Sequence, residues 1–282
     1  MDSKDLEALH GIAFEILLEI DRVCRKNTID YFLDGGTLLG AARHHDFIPW
    51  DDDLDISMMR EDYEKFLSVA PLEMDPKYFV QTRFTDPGYP FGYTKVRKNG
   101  TLCVEACFGE RLTHNGVWVD VFPYDLTSRK TLRSKQLKWR LLMRTLTLRA
   151  TSGQGNNSWG KPKKALRWAL HTALKPISPS KIVDKLESCR TAPADDEDIV
   201  ITCFHDFNRL FELPPEILKP FDSLTFRGRQ FPVPRGWEHY LEMHYGDWRQ
   251  LPPEEKRIAH SISHFDPGSD NAQLRIESTR SR

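Results

Sequence analysis

Asp51-Asp52-Asp53-Leu54-Asp55-Ile56, behind Pro49-Trp50 and downstream of Tyr31-Phe32-Leu33-Asp34-Gly35-Gly36-Thr37, is the stretch on which the fold and the chemistry turn. Its four carboxylates in five positions are costly to bury without cations, because a buried charge needs a partner. Leu54 and Ile56 alternate with the acids, which predicts a strand reaching about Met58. On a strand, Asp51, Asp53 and Asp55 project from one face and Asp52 from the other. Same-face neighbours are then about 6.5 Å apart at Cα, given a rise of about 3.3 Å per residue. Both can reach one hard cation, or two ions about 4 Å apart as in-line phosphoryl transfer uses. The expectation is a Mg²⁺ site for phosphoryl transfer, with Mn²⁺ as the alternative ion.

The same acids admit a calcium-loop reading, with Asp51, Asp53, Asp55 and Asp62 at loop positions one, three, five and twelve. Ile56 stands where that loop needs glycine, and its last ligand should be Glu, so the strand reading is preferred. Gly35-Gly36-Thr37 is expected to open a short helix over Thr37 to Arg43 and to bring backbone N–H groups close to a phosphate. Asp120, alone in the apolar run Val117-Trp118-Val119-Asp120-Val121-Phe122, is either a hydrogen-bonded structural acid or the third carboxylate of the site. Arg43 is placed to clamp a phosphate or to make a surface ion pair. Lys95 is a candidate for phosphate binding, and Arg97 is assigned to solvent. His44, His45 and His260 are read as solvated.

Around these residues the chain alternates helices and strands. Leu6, Leu9, Ala13, Ile16, Leu17, Ile20, Val23 and Cys24 recur at helical spacing and predict an amphipathic opening helix. Residues 31–33 read as a short buried strand, and residues 60–69 as a helix turning Tyr63, Phe66 and Leu67 inward. Residues 79–82 and 93–97 read as strands. Asn99-Gly100 signals a hairpin into Leu102, and Pro123 closes the strand holding Asp120. Phe226-Arg227-Gly228-Arg229-Gln230-Phe231 reads as a further hairpin, and Ser278 to Arg282 as a frayed end.

The pattern predicts an α/β (α+β) mixed-sheet core over 1–125, a basic helical insertion over 126–190 and a C-terminal extension over 191–282 packing on the core. The insertion is a hairpin of helices at 129–150 and 162–175 joined by a loop from Gly153 to Gly160. Leu126 to Val183 holds 14 Lys/Arg and no Asp or Glu, leaving 26 basic against 41 acidic residues elsewhere. Such segregation points to an anionic partner. Leu137, Leu141, Leu142 and Leu146 among the cations suit peripheral contact of 129–175 with an anionic membrane.

With 39% hydrophobic and 29% charged residues, the 282-residue chain has the composition of a soluble globular enzyme, not of a disordered segment. Its five cysteines, including Cys107 and Cys189, form no close metal-type pairing, and reduced cytosolic thiols are expected. No signal core and no run of about 18 apolar residues is present, so a cytoplasmic protein is expected, peripheral at the inner face of the membrane.

Tyr31 to Arg43, followed by Phe47-Ile48-Pro49-Trp50-Asp51-Asp52-Asp53-Leu54-Asp55-Ile56, resembles the signature of the LicD family. Gly92 to Arg97, Trp118 to Pro123, Tyr245-Gly246-Asp247-Trp248 and Pro252 to Arg257 are similar as well. These are phosphocholine transferases of bacterial surface glycans, related to fukutin-type ribitol-phosphate transferases. The resemblance implies a nucleotidyltransferase-like fold in which the glycine pair opens a helix, Asp53 and Asp55 hold divalent metal, and Asp120 is the third carboxylate. It implies a CDP-alcohol donor, CDP-choline first, and a glycan or lipid-linked glycan acceptor, such as teichoic acid or lipooligosaccharide. No nucleic-acid partner is expected. Two alternatives differ in kind. One is nucleotidyl transfer from ATP onto protein or RNA. The other is a non-catalytic nucleic-acid binder stacking bases on Trp139, Trp159 and Trp168.

Overall fold

Leu9, His10, Ala13, Ile16, Leu17, Ile20, Val23 and Cys24 fall on one face of the helix α1 (Ser3–Lys26) and are buried. The structure, a computed structural model, describes residues 3–86, 89, 91–105, 114–150, 161–188, 198–204, 212–257 and 262–268. The Gly153–Gly160 loop, Trp159, Cys107, Cys189, His260 and the Ser278–Arg282 end lie outside them.

After α1 come β1 (Phe32–Leu33), α2 (Gly35–His44), β2 (Asp55–Met59), α3 (Arg60–Glu73), β3 (Tyr78–Gln81), β4 (Thr94–Lys98), β5 (Leu102–Glu105) and β6 (Trp118–Ser128). The main sheet is mixed, ordered β1-β2-β6-β4-β3. β2 runs parallel to β6, while the β1–β2, β6–β4 and β4–β3 pairs are antiparallel. Register places Asp55 beside Asp120, and Lys95 beside Asp120 on its other side. Three site candidates thus meet across neighbouring strands, whose spacing is about 4.8 Å.

Three sequence expectations change here. The strand begins only at Asp55, so Asp51 to Leu54 form an irregular approach to it and alternation does not set their directions. Asn99-Gly100 does make a turn, with Gly100 at φ 75°, but β5 does not return along β4. Both edges of β4 are already taken by β3 and β6, and β5 pairs with β10 (Ile262–Asp266). Pro123 does not close β6: β4 pairs only as far as Val121, so the missing N–H at 123 breaks no bond on that side.

Two compact units emerge. One comprises residues 1–89, 93–124 and 215–282. Its C-terminal part contributes the hairpin β8 (Asp222–Phe226) and β9 (Arg229–Val233), with Arg227 and Gly228 both at positive φ as a tight two-residue turn needs. It also contributes α7 (Trp237–Tyr245). The other unit comprises 90–92 and 125–214. In it the end of β6 pairs with β7 (Ile199–Thr202), and α4 (Arg129–Ala150) packs on α5 (Lys161–Leu174) and α6 (Pro179–Glu187). Trp139, Met143, Leu146, Ile182, Leu186 and Phe204 form its core. α6 carries a Pro at its start that sets the helical φ, a signal the two-helix expectation did not use.

Candidate active site

Asp34 sets the start of α2. Its backbone is extended, and its Oδ1 accepts the Gly35 N–H at 2.8 Å. The same buried carboxylate accepts the Tyr124 hydroxyl at 2.8 Å and those of Ser57 and Tyr240. Four donors satisfy one buried carboxyl group, drawn from the start of α2, β2, β6 and α7. Sequence reasoning did not single out Asp34, although an Asp directly before a helix start is a capping signal. Nothing in the sequence pointed to Tyr240.

The acidic segment closes onto the glycines. A Cβ at Gly35 would lie 3.0 Å from Oδ2 of Asp55, and one at Gly36 would lie 2.6 Å from Oδ2 of Asp51. Gly35 also sits at φ 51°, which side chains rarely adopt. Only a helix start without side chains lets the two carboxylates come this near. Asp55 is held there by its N–H bond to Thr37 Oγ1 at 2.8 Å, and its carbonyl accepts the Asp34 N–H at 3.2 Å. His10, stacked on Phe47, donates from Nε2 to the Asp51 carbonyl at 2.6 Å and anchors the segment from α1.

Asp51, Asp52 and Asp53 can place carboxylate oxygens within 4.8 Å of one another. Asp52 is buried, whereas Asp51, Asp53 and Asp55 keep partial access to solvent. Burial first, then Asp53, Asp120, Asp34 and Asp51, push the Asp55 carboxyl well above its ordinary range. Burial likewise pushes Asp120 up to about 6, opposed chiefly by Lys95 and helped by Glu105 and Asp53. Asp53 thus acts on both Asp55 and Asp120, and Asp120 acts on Asp55.

Lys95 is the counterion. Its buried ammonium lies 3.0 and 3.1 Å from the two Asp120 oxygens and 3.7 Å from Glu105. It also sits 4.1 Å above the Trp118 ring, while the Trp118 Nε1–H donates to Asp120 at 3.1 Å. Glu105, close to both Lys95 and Arg97, was missed from sequence because β5 reads as an ordinary edge strand.

Arg97 departs from its assignment to solvent. It is fully buried, donating to Gln81 and, at 2.6 Å, to the Gly116 carbonyl. Trp118, Gln81, the Gly116 carbonyl and Glu105 surround its guanidinium on that face of the sheet. Arg43 donates to the Trp248 and Gln250 carbonyls at 3.0 and 3.4 Å and, among the described residues, makes no ion pair. Burial and the nearby Arg257 lower its pKa. Arg257 lies 5.1 Å over the Trp50 ring, so two guanidinium groups separated by more than 200 residues share one corner of the site. One face of Trp118 is already covered by Lys95, and the Trp139 ring is buried in the other unit, which removes it as a base-stacking platform.

All-oxygen carboxylate donors suit a hard divalent cation. Mutual repulsion that drives carboxyl protonation is what a cation relieves.

The chain is similar in sequence to known proteins. Residues 28–144 match the LicD/FKTN/FKRP nucleotidyltransferase domain. The chain is 26% identical over 256 residues to the lipopolysaccharide cholinephosphotransferase LicD of Haemophilus influenzae, covering 89% of this chain and 94% of that protein. It is 59% identical over 34 residues to the ribitol 5-phosphate transferase FKRP of Mus musculus and of Homo sapiens, covering 12% of this chain and 7% of theirs. An uncharacterized protein of Rickettsia typhi is 33% identical over 101 residues, 36% of this chain and 28% of its own. Residues 28–144 are thus similar to the nucleotidyltransferase domain of LicD, FKTN and FKRP, and the chain is similar to LicD along most of its length.

Proposed function

We propose that the protein transfers phosphocholine, or a related alcohol phosphate, from a CDP-linked donor to a sugar hydroxyl of a cell-surface glycan, releasing CMP. One observation carries this reading: Asp51 and Asp55 press against a glycine helix start, and the strand register sets Asp55 beside Asp120. Similarity to a lipopolysaccharide cholinephosphotransferase along most of both chains supports the choice of substrates.

Asp53, Asp55 and Asp120 would hold Mg²⁺, or Mn²⁺ in its place; Asp51 and Asp52, whose carboxylates lie within 4.8 Å of each other and of Asp53, stand alongside. Bound there, the ion would offset the charge of the donor's diphosphate and favour departure of CMP. Gly36 and Thr37, in the first turn of α2, carry N–H groups without acceptors inside the helix, suited to phosphate oxygens. Arg43 and Arg257 add positive charge at the same corner. Asp120 would ligate the ion or draw off the acceptor hydroxyl's proton, and Lys95 fixes its orientation. The reaction is assigned to the cytoplasmic side, and a lipid-linked acceptor would meet the enzyme at the inner face of the membrane.

The test is Mg²⁺-dependent CMP formation across CDP-choline, CDP-ethanolamine, CDP-ribitol and CDP-glycerol, with Asp53→Ala as the control. CMP from one of these donors, absent in the variant, is expected. Pyrophosphate released from ATP instead would replace this reading with nucleotidyl transfer to protein or RNA.

A further inference from the structure

We propose that the outer faces of α4 and α5 dock on the surface of an anionic lipid bilayer. The inference goes beyond the transfer reaction and does not depend on it. α4 is two-sided. Leu132, Trp139, Met143 and Leu146 are buried, and the last three join Ile182, Leu186 and Phe204 in the core of that unit. Lys130, Arg133, Leu137, Lys138, Leu141 and Arg144 recur every three or four residues and form a single exposed stripe. At its centre, Leu137 is 71% and Leu141 65% exposed, with cations on either flank. The core of this unit uses the other face, so these leucines contribute nothing to it.

On α5, Leu166 and Leu170, one turn apart, are exposed, as is Ile177 just beyond the helix, while Trp168, 63% exposed, stands on another face. Across the whole segment from Leu126 to Val183 no acidic residue offsets the 14 Lys/Arg. Apolar side chains flanked by lysine and arginine match the boundary between anionic headgroups and acyl chains. Charge disfavours a second copy as the occupant, because the same cationic face would be brought against itself. Nucleic acid would use the cations but gain little from leucines. No helix among the described residues is long and apolar enough to cross a membrane, so the contact is peripheral.

Flotation of the full chain with vesicles of phosphatidylcholine, with and without phosphatidylglycerol, tests this. Binding to the anionic vesicles at physiological salt is expected, with at least about a tenfold loss on neutral ones. Leu137→Ser with Leu141→Ser should weaken binding about tenfold at unchanged melting temperature. Lys130→Glu with Arg133→Glu and Arg144→Glu should abolish it. Failure of the parent chain to float would overturn the proposal, as would equal binding by both variants. So would a dimer that the leucine variant dissociates, or retention on RNA without retention on lipid.

Discussion

Gly36 and Asp51 touch: a single methyl group added at residue 36 would stand 2.6 Å from the Asp51 carboxylate. The glycine is therefore required by the acidic segment itself, in addition to any phosphate that its N–H receives. Gly36→Ala should fold, because the obstructing atom is the end of a side chain that can rotate. The rotation takes Asp51 away from its neighbours, so Mn²⁺ affinity, measured by titration calorimetry, should fall while the melting temperature stays near that of the parent. Gly35→Ala should instead lower stability by about 1–2 kcal/mol, since alanine resists positive φ.

Asp55→Asn should stabilise the metal-free protein while ending turnover. The folded-state carboxyl is raised above its unfolded value, so the folded chain holds a proton that the unfolded chain has lost. Stability of the metal-free parent must then fall as pH rises from the ordinary carboxylate range through the raised one. Urea unfolding between pH 4 and 7.5 should show that decline flattened in Asp55→Asn. An unchanged slope would mean that the carboxylates do not repel one another. Added Mg²⁺ should reverse the decline in the parent, because a bound cation stabilises the folded state by mass action.

Lys95→Met should leave Asp120 without its cation, while Glu105 keeps Arg97. Breaking a buried pair costs about 3–5 kcal/mol, so reduced stability is expected. A second readout separates positioning from packing. Lys95 holds the Asp120 carboxyl down against burial, so its loss raises that group further. The acidic limb of the kcat profile should move to higher pH, a shift that a packing defect alone would not produce.

Tyr240→Phe should cost about 1.5–3 kcal/mol, the value of a hydrogen bond to a charged group, read from the midpoint of urea denaturation. Asp34→Ala should cost more, since the Ser57, Tyr124 and Tyr240 hydroxyls all lose one acceptor.

Arg257→Ala should raise KM for the CDP-linked donor by about tenfold with little change in kcat, if its guanidinium meets the donor's phosphates beside Arg43. An effect on kcat alone, at unchanged KM, would remove Arg257 from donor binding.

Much of this was legible in the chain. The apolar period of α1, the turn at Arg227-Gly228, and helices over 129–150 and 162–175 follow from local pattern and appear as read. Asp53, Asp55 and Asp120 could be named because four acids in one run, and one acid in an apolar strand, are costly arrangements that invite a reason. The errors have a common origin. Extending the strand back to Asp51, ending it at Pro123 and turning Arg97 to solvent each treated a strand as if its neighbours were unknown: pairing with β2 and β7 carries β6 past Pro123, and the groups packed over one sheet face bury Arg97.

Sequence alone thus determined which residues carry the charge, where the chain permits close approach and which segment collects the cations, because these are properties of residue type and spacing. Tertiary structure decided which charges meet. Lys95 neutralises Asp120 through a strand register, and Asp34 collects hydroxyls from residues 57, 124 and 240. Arg43 lies beside Arg257 because the C-terminal segment returns to the end of α2. Each pairing joins residues far apart in the chain, and no local preference encodes the sheet order that brings them together.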